Sequence, residues 1–298
     1  RDDDVLAANI YWQDFLKLGL TSQVTIIHNR NREHGDVEYD KNGFIQRPSS
    51  LLEERFSRDY DVTYFGYSAD GHFDRLNISS SWYYAYGEQE STRLRSEEEK
   101  IRAWFTATEL SWDIDWFRPR LSFLYASGDD DPFDQKAKGF DAIFENPQFA
   151  GADTSFWIRQ NVPLIGGGGV VLSGRNGIVP SLRSSKEQGQ SNFINPGIML
   201  IGLGADADLL PQLRLSFNIN HLRFDTTEVL ERLRQQAPID KALGEDISMS
   251  LIWRPFMTQN AVFRFSMAGL NPGKGFEDLF GDEARTPYSI LFNMTLTY

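Results

Sequence analysis

The chain of 298 residues has no cysteine. That removes disulfides, thiolate metal sites and thiol nucleophiles at once, and it suits a compartment that oxidises thiols. Nowhere do about eighteen apolar residues follow one another, which excludes a transmembrane helix. Histidine is limited to His28, His34, His72 and His221, scattered along the chain, and neither HExxH nor GxSxG occurs, so no catalytic residue is assigned and an enzyme is not expected. Basic residues are outnumbered, 30 against 42, and the formal charge of −12 argues against a nucleic-acid partner. The opening RDDDVLAANIYW has neither a basic start nor an apolar signal core, so the expectation is a mature chain or one that begins inside a longer protein.

Aromatic residues, by contrast, make up 13% of the chain. Many recur at a period of two. In Thr286 to Tyr298 one parity carries Tyr288, Ile290, Phe292, Met294, Leu296 and Tyr298, and the other Ser289, Leu291, Asn293, Thr295 and Thr297. A strand of that length with one apolar and one polar face fits a tilted crossing of a bilayer core. The same alternation recurs upstream. Leu6 to Phe15 and Leu18 to His28 read as strands joined near Lys17 and Gly19. Asp59 to Tyr67 and Phe73 to Tyr86 read as a hairpin closed by Ser68 to Gly71. Trp104, Leu110, Trp112, Ile114 and Trp116 form an outward stripe opposite Glu109, Asp113 and Asp115, after which Phe117 to Pro119 turn the chain into Arg120 to Ala126. Ile198 to Leu209, Leu213 to Phe224, Asp246 to Arg254 and Ala261 to Leu270 continue the series. A short helix is predicted over Thr227 to Gln236.

Short and long connections alternate, and acids opposite tryptophans suit a wet lumen behind a greasy wall. The reading is all-β: a membrane-spanning, antiparallel, up-and-down β-barrel with short periplasmic turns and long extracellular loops. About eleven strands are visible of an expected 16–18 in the full protein. Residues 1–298 are then the carboxyl-terminal part of one barrel domain. Residues 127–195 form a long extracellular or lumen-folded loop. A soluble sandwich is the bland alternative.

Three segments carry a family likeness: SGDDDPFDQKAKGFDAIFENPQFAG from Ser127 to Gly151, LRSSKEQGQSNFINPG from Leu182 to Gly197, and ADADLLPQLRLSFNINHLRFD from Ala205 to Asp225. They resemble large bacterial outer-membrane barrels of the alginate-export-like family. The resemblance implies a many-stranded Gram-negative outer-membrane barrel whose arginine-rich lumen passes an anionic polysaccharide or other anionic solute.

By parity Arg75, Arg120, Arg214, Arg254 and Arg264 face inward with Glu109, Asp113 and Asp115, so these eight are the pore-lining candidates. Arginines near the mouth attract carboxylates, while arginines paired to acids across strands stiffen the wall, and both roles can coexist. Asp129, Asp130, Asp131 and Asp134 could take a calcium ion, although their spacing is not that of an EF-hand and a solvated acidic loop is the simpler account. No other cofactor is expected. The functional expectation is an integral outer-membrane porin or exporter, passive and anion-favouring, in contact with outer-membrane lipid and lipopolysaccharide. The rival is a scaffold barrel that holds a protein partner in an envelope complex through its loops or lumen.

Overall fold

The computed structural model describes residues 3–15, 19–32, 59–90, 97–143, 149–151, 155, 191–257, 260–281 and 286–297. Eleven long strands follow one another in a single sheet: β1 (Asp3–Phe15), β2 (Leu20–Asn31), β3 (Tyr60–Phe73), β4 (Leu76–Gln89), β5 (Glu99–Trp112), β6 (Phe117–Ala126), β8 (Ile198–Leu210), β9 (Leu213–Arg223), β10 (Ala242–Trp253), β11 (Ala261–Pro272) and β12 (Tyr288–Leu296). Each pairs antiparallel with the next along that path. The two-residue β7 (Lys136–Ala137) lies beside β5 in parallel. Helices α1 (Glu228–Arg234) and α2 (Lys274–Phe280) sit in connections. This is an all-β, antiparallel, up-and-down barrel wall with β1 and β12 as its edges.

Alternation divides the wall into two faces. Outward, Trp82, Trp104, Trp112, Phe123, Ile201, Phe217, Met249, Trp253, Phe265 and Phe292 stand exposed, Phe217 at 42% and Phe292 at 64%. They are not gathered into a core. Inward residues are of two kinds. Near the short turns the charged side chains gather; toward the long connections the face is buried, mostly apolar but with Gln89, Glu99 and Asp246 among the buried residues.

Two buried clusters make up the apolar part of that half. Tyr60, Val62, Tyr64, Ala85, Ile101 and Ala103 on β3 to β5 pack with Ala137, Phe193, Ile194 and Val229. Leu124, Leu200, Leu222 and Leu270 on β6 to β11 pack with Ala150, Phe224, Leu230, Phe276 and Leu279. Segments 127–143 and 191–197 and both helices therefore fold over the inward face at the loop end. They are stitched to one another by backbone bonds, Gly139 N–H to Phe193 O and Asp129 N–H to Asn195 O, each 2.8 Å. Burial of apolar inward residues replaces water at this end.

The turns also differ from expectation. β3 runs through Ser68 to Gly71, whose partners are Ser81 to Ile78, and the chain reverses at Asp74 and Arg75. Asp74 and Asp115 take left-handed backbone, φ 53° and 45°. Aspartate tolerates this because its short side chain bonds locally, so these tight turns need no glycine. Likewise the β5–β6 reversal falls at Asp113 to Trp116, and Pro119 lies inside β6. The β5–β6 ladder ends at the Ser111–Arg120 pair, so the missing proline N–H breaks no bond to β5. Helix α1 matches its expected place, whereas α2 was read as loop. Its buried Phe276 and Leu279, three residues apart on one face, were the available signal.

Candidate functional site

The charged half of the inward face is a set of ion pairs set by register. Asp208 and Arg214 face each other across the β8–β9 hairpin. The guanidinium donates from Nε and Nη2 to the two carboxylate oxygens at 2.7 and 2.9 Å. Arg120 on β6 reaches over β8: it donates to Asn218 Oδ1 at 2.6 Å and lies 3.4 Å from Asp206, which also accepts from the Ser216 hydroxyl at 2.6 Å. Both members of the Arg120–Asp206 pair are mostly shielded from solvent. Arg118 pairs with Asp113, which accepts a second bond from Asn77 at 3.0 Å. Those bonds from Asn77 and Arg118 hold the Asp113 carboxyl below the usual carboxylate range.

At the turn end these groups enclose a cavity of about 390 Å³ lined by Arg75, Asp113, Asp115, Trp116, Phe117, Arg118, Asp206, Asp208 and Arg214. Four of the eight pore-lining candidates, Arg75, Asp113, Asp115 and Arg214, meet here. Arg75 is placed by the β3–β4 turn rather than by a strand, its carbonyl accepting from Asp113 N–H. Glu109 lies further along β5, accepting from the Ser122 hydroxyl at 2.8 Å and from Ala150 N–H at 3.1 Å, so it ties Ala150 to the inward face. Arg254 follows β10 next to the β8–β9 turn, half-buried, with its Nε unpartnered. Arg264 faces Asn293 and Ile252 across its two ladders, away from the cavity lining. Arg118 and Asp208 were missed as candidates. Arg118 was assigned to a turn; Asp208 is as far from Pro211 as Arg214 is, which makes the cross-hairpin pair readable by counting.

The acidic loop uses its carboxylates internally. Asp131 N–H donates to Asp129 Oδ1 at 3.3 Å, Phe133 N–H to Asp131 at 3.1 Å and Lys136 N–H to Asp134 at 2.6 Å, while Lys138 pairs with Asp130 and lies 3.7 Å from Asp134. Among the described residues no three carboxylates or histidines converge where a metal would sit. Asp129 is 1% exposed and its carboxyl is pushed up to about 7, burial being the first cause and the charges of Asp134 and Glu99 adding to it.

On the outer face His28 lies 3.0 Å from the Thr63 hydroxyl and 3.6 Å from Asp61. The three residue types could in principle activate a hydroxyl. Among the described residues, the backbone N–H groups of β2 and β3 serve the ladders to their neighbours on both sides.

No protein-family model matches the chain, and no curated protein matches it. Among solved structures it is similar to the ferric enterobactin receptor PfeA of Pseudomonas aeruginosa. A mutant of that receptor in complex with enterobactin is 10% identical over 92% of this chain and 34% of the receptor, with a TM-score of 0.43. A second mutant is 11% identical over the same shares, with a TM-score of 0.41. The chain thus spans about a third of the length of that receptor.

Proposed function

We propose that this chain is an integral outer-membrane β-barrel wall that gives passive passage to a small polar solute bearing an anionic group. One observation carries the reading: a single sheet presents exposed large apolar side chains on one face and ion-paired charge on the other. A bilayer covers the first face and water the second, and membranes are crossed without helices only by such walls. The outward belt contacts lipid and lipopolysaccharide. Of the inward arginines, Arg120 and Arg214 are committed to Asp206 and Asp208 and act mainly as wall chemistry, which leaves Arg75 and Arg254 to meet a passing anion. The folded loop-end segments favour a small solute over a polysaccharide. Diffusive passage requires no cofactor.

Conductance of the purified protein in planar bilayers tests this. Weak anion preference is expected, reduced in Arg75→Ala and Arg254→Ala and less affected in Arg214→Ala. Cation preference in the unsubstituted protein would end the reading. The same loop-end packing supports a second reading, a scaffold barrel whose lumen is filled and whose loops hold a partner of an envelope complex. No conductance at all, with the sheet intact, would favour it.

A further inference from the structure

The turn-end cavity holds a charge arrangement that the transport reading does not use in full. Its three ion pairs, Arg118–Asp113, Arg120–Asp206 and Arg214–Asp208, neutralise one another. Two opposite charges remain on the lining, Arg75 and Asp115, and among the described residues neither has an ion-pair partner, nor do they pair with each other. They stand on two different tight turns, β3–β4 and β5–β6, each with an aspartate in left-handed backbone, so both are displayed from short, stiff connections. A lone anion entering here gains Arg75 and meets Asp115; a lone cation has the reverse problem. A molecule carrying both charges satisfies both at once, and a cavity of about 390 Å³ is of the size that small polar ligands occupy.

We propose that this cavity is a binding site for a small zwitterion, its anionic group on Arg75 and its cationic group on Asp115. The proposal rests on the transport reading only in placing the cavity on the water-facing side of the wall, and it names the class of solute that the mouth takes up.

Calorimetric titration of the full chain in detergent tests it with three probes: L-alanyl-L-alanine, its N-acetyl form, which is only an anion, and its C-terminal amide, which is only a cation. The free dipeptide is expected to bind, and each capped form at least about tenfold more weakly, since each leaves one charge of the site unmet. Arg75→Gln and Asp115→Asn should each give the same loss; asparagine keeps the left-handed turn at 115, so the second variant folds. Binding of the acetylated probe as tight as that of the dipeptide, undiminished binding by Asp115→Asn, or no binding of the dipeptide overturns the proposal. Binding lost while conductance persists removes the zwitterion site and leaves the transport reading, and conductance absent while the dipeptide binds does the opposite.

Discussion

Asp129 is the residue whose chemistry and packing are most at odds. It sits buried where segments 127–143 and 191–197 meet, beside buried Glu99 and near Asp134, with Lys138 the nearby cation. In the unfolded chain its carboxyl ionises near 4, and in the fold near 7. Between those values the folded chain holds a proton that the unfolded chain has lost, so stability falls as pH rises from about 4 to about 7 and levels off above. Asp129→Asn stays neutral and keeps the oxygen that accepts from Asp131 N–H. It should raise stability by about 1–3 kcal/mol at pH 8 and by little at pH 4, read by thermal unfolding in detergent. An equal gain at both pH values would contradict the burial argument. Residue types at the charged site were legible in the sequence; partners were legible only where strands are adjacent. The Asp208–Arg214 pair follows from counting out from one turn, whereas Arg120 reaching Asp206 depends on β6 lying beside β8 across the long connection 127–197.

Among elements, the strands were readable because the two faces differ in polarity, and the misplacements occur where that contrast fails. Ser68 to Gly71 look like a turn because polar residues fall on both parities, yet the outer position of Ala69 and the inner Ser68–Ser81 hydroxyl pair at 3.2 Å keep the strand going. The dry loop-end core left a weaker trace: Ile198, Met199, Leu200 and Ile201 are apolar on both parities, which marks a strand with no wet face there. Nothing local indicated that Phe193, from the far side of a long connection, would fill that space. It is fully buried against the β3–β5 cluster. Phe193→Ala is expected to cost about 3 kcal/mol in the packing of the loop-end segments. Hydrogen exchange reads this directly: the Gly139 and Phe140 amides should exchange faster, and the β9–β10 ladder amides should not change. Acceleration of both sets together would mean that cap and wall are one cooperative unit.

For the whole molecule the decisive property is which solvent each face meets. Phe217, beside Met249 and Ala205 on the outer face, is a mid-wall position away from both ends of β9. Phe217→Arg should destabilise the protein by about 2–4 kcal/mol in lipid vesicles, measured by urea titration of the folded band. A change below about 0.5 kcal/mol would mean that the apolar belt does not face hydrocarbon.

The uninterrupted reversal of eleven long strands has a consequence for how the sheet can be made into a tube. The odd tally among the described residues leaves β1 and β12 pointing the same way along the wall. Zipping those two edges together directly would therefore make a parallel seam, with slanted and somewhat weaker bonds than every other long junction in the wall. A seam with the same bonding as the rest arises only when an odd number of further strands stands between them, whatever chain supplies those strands.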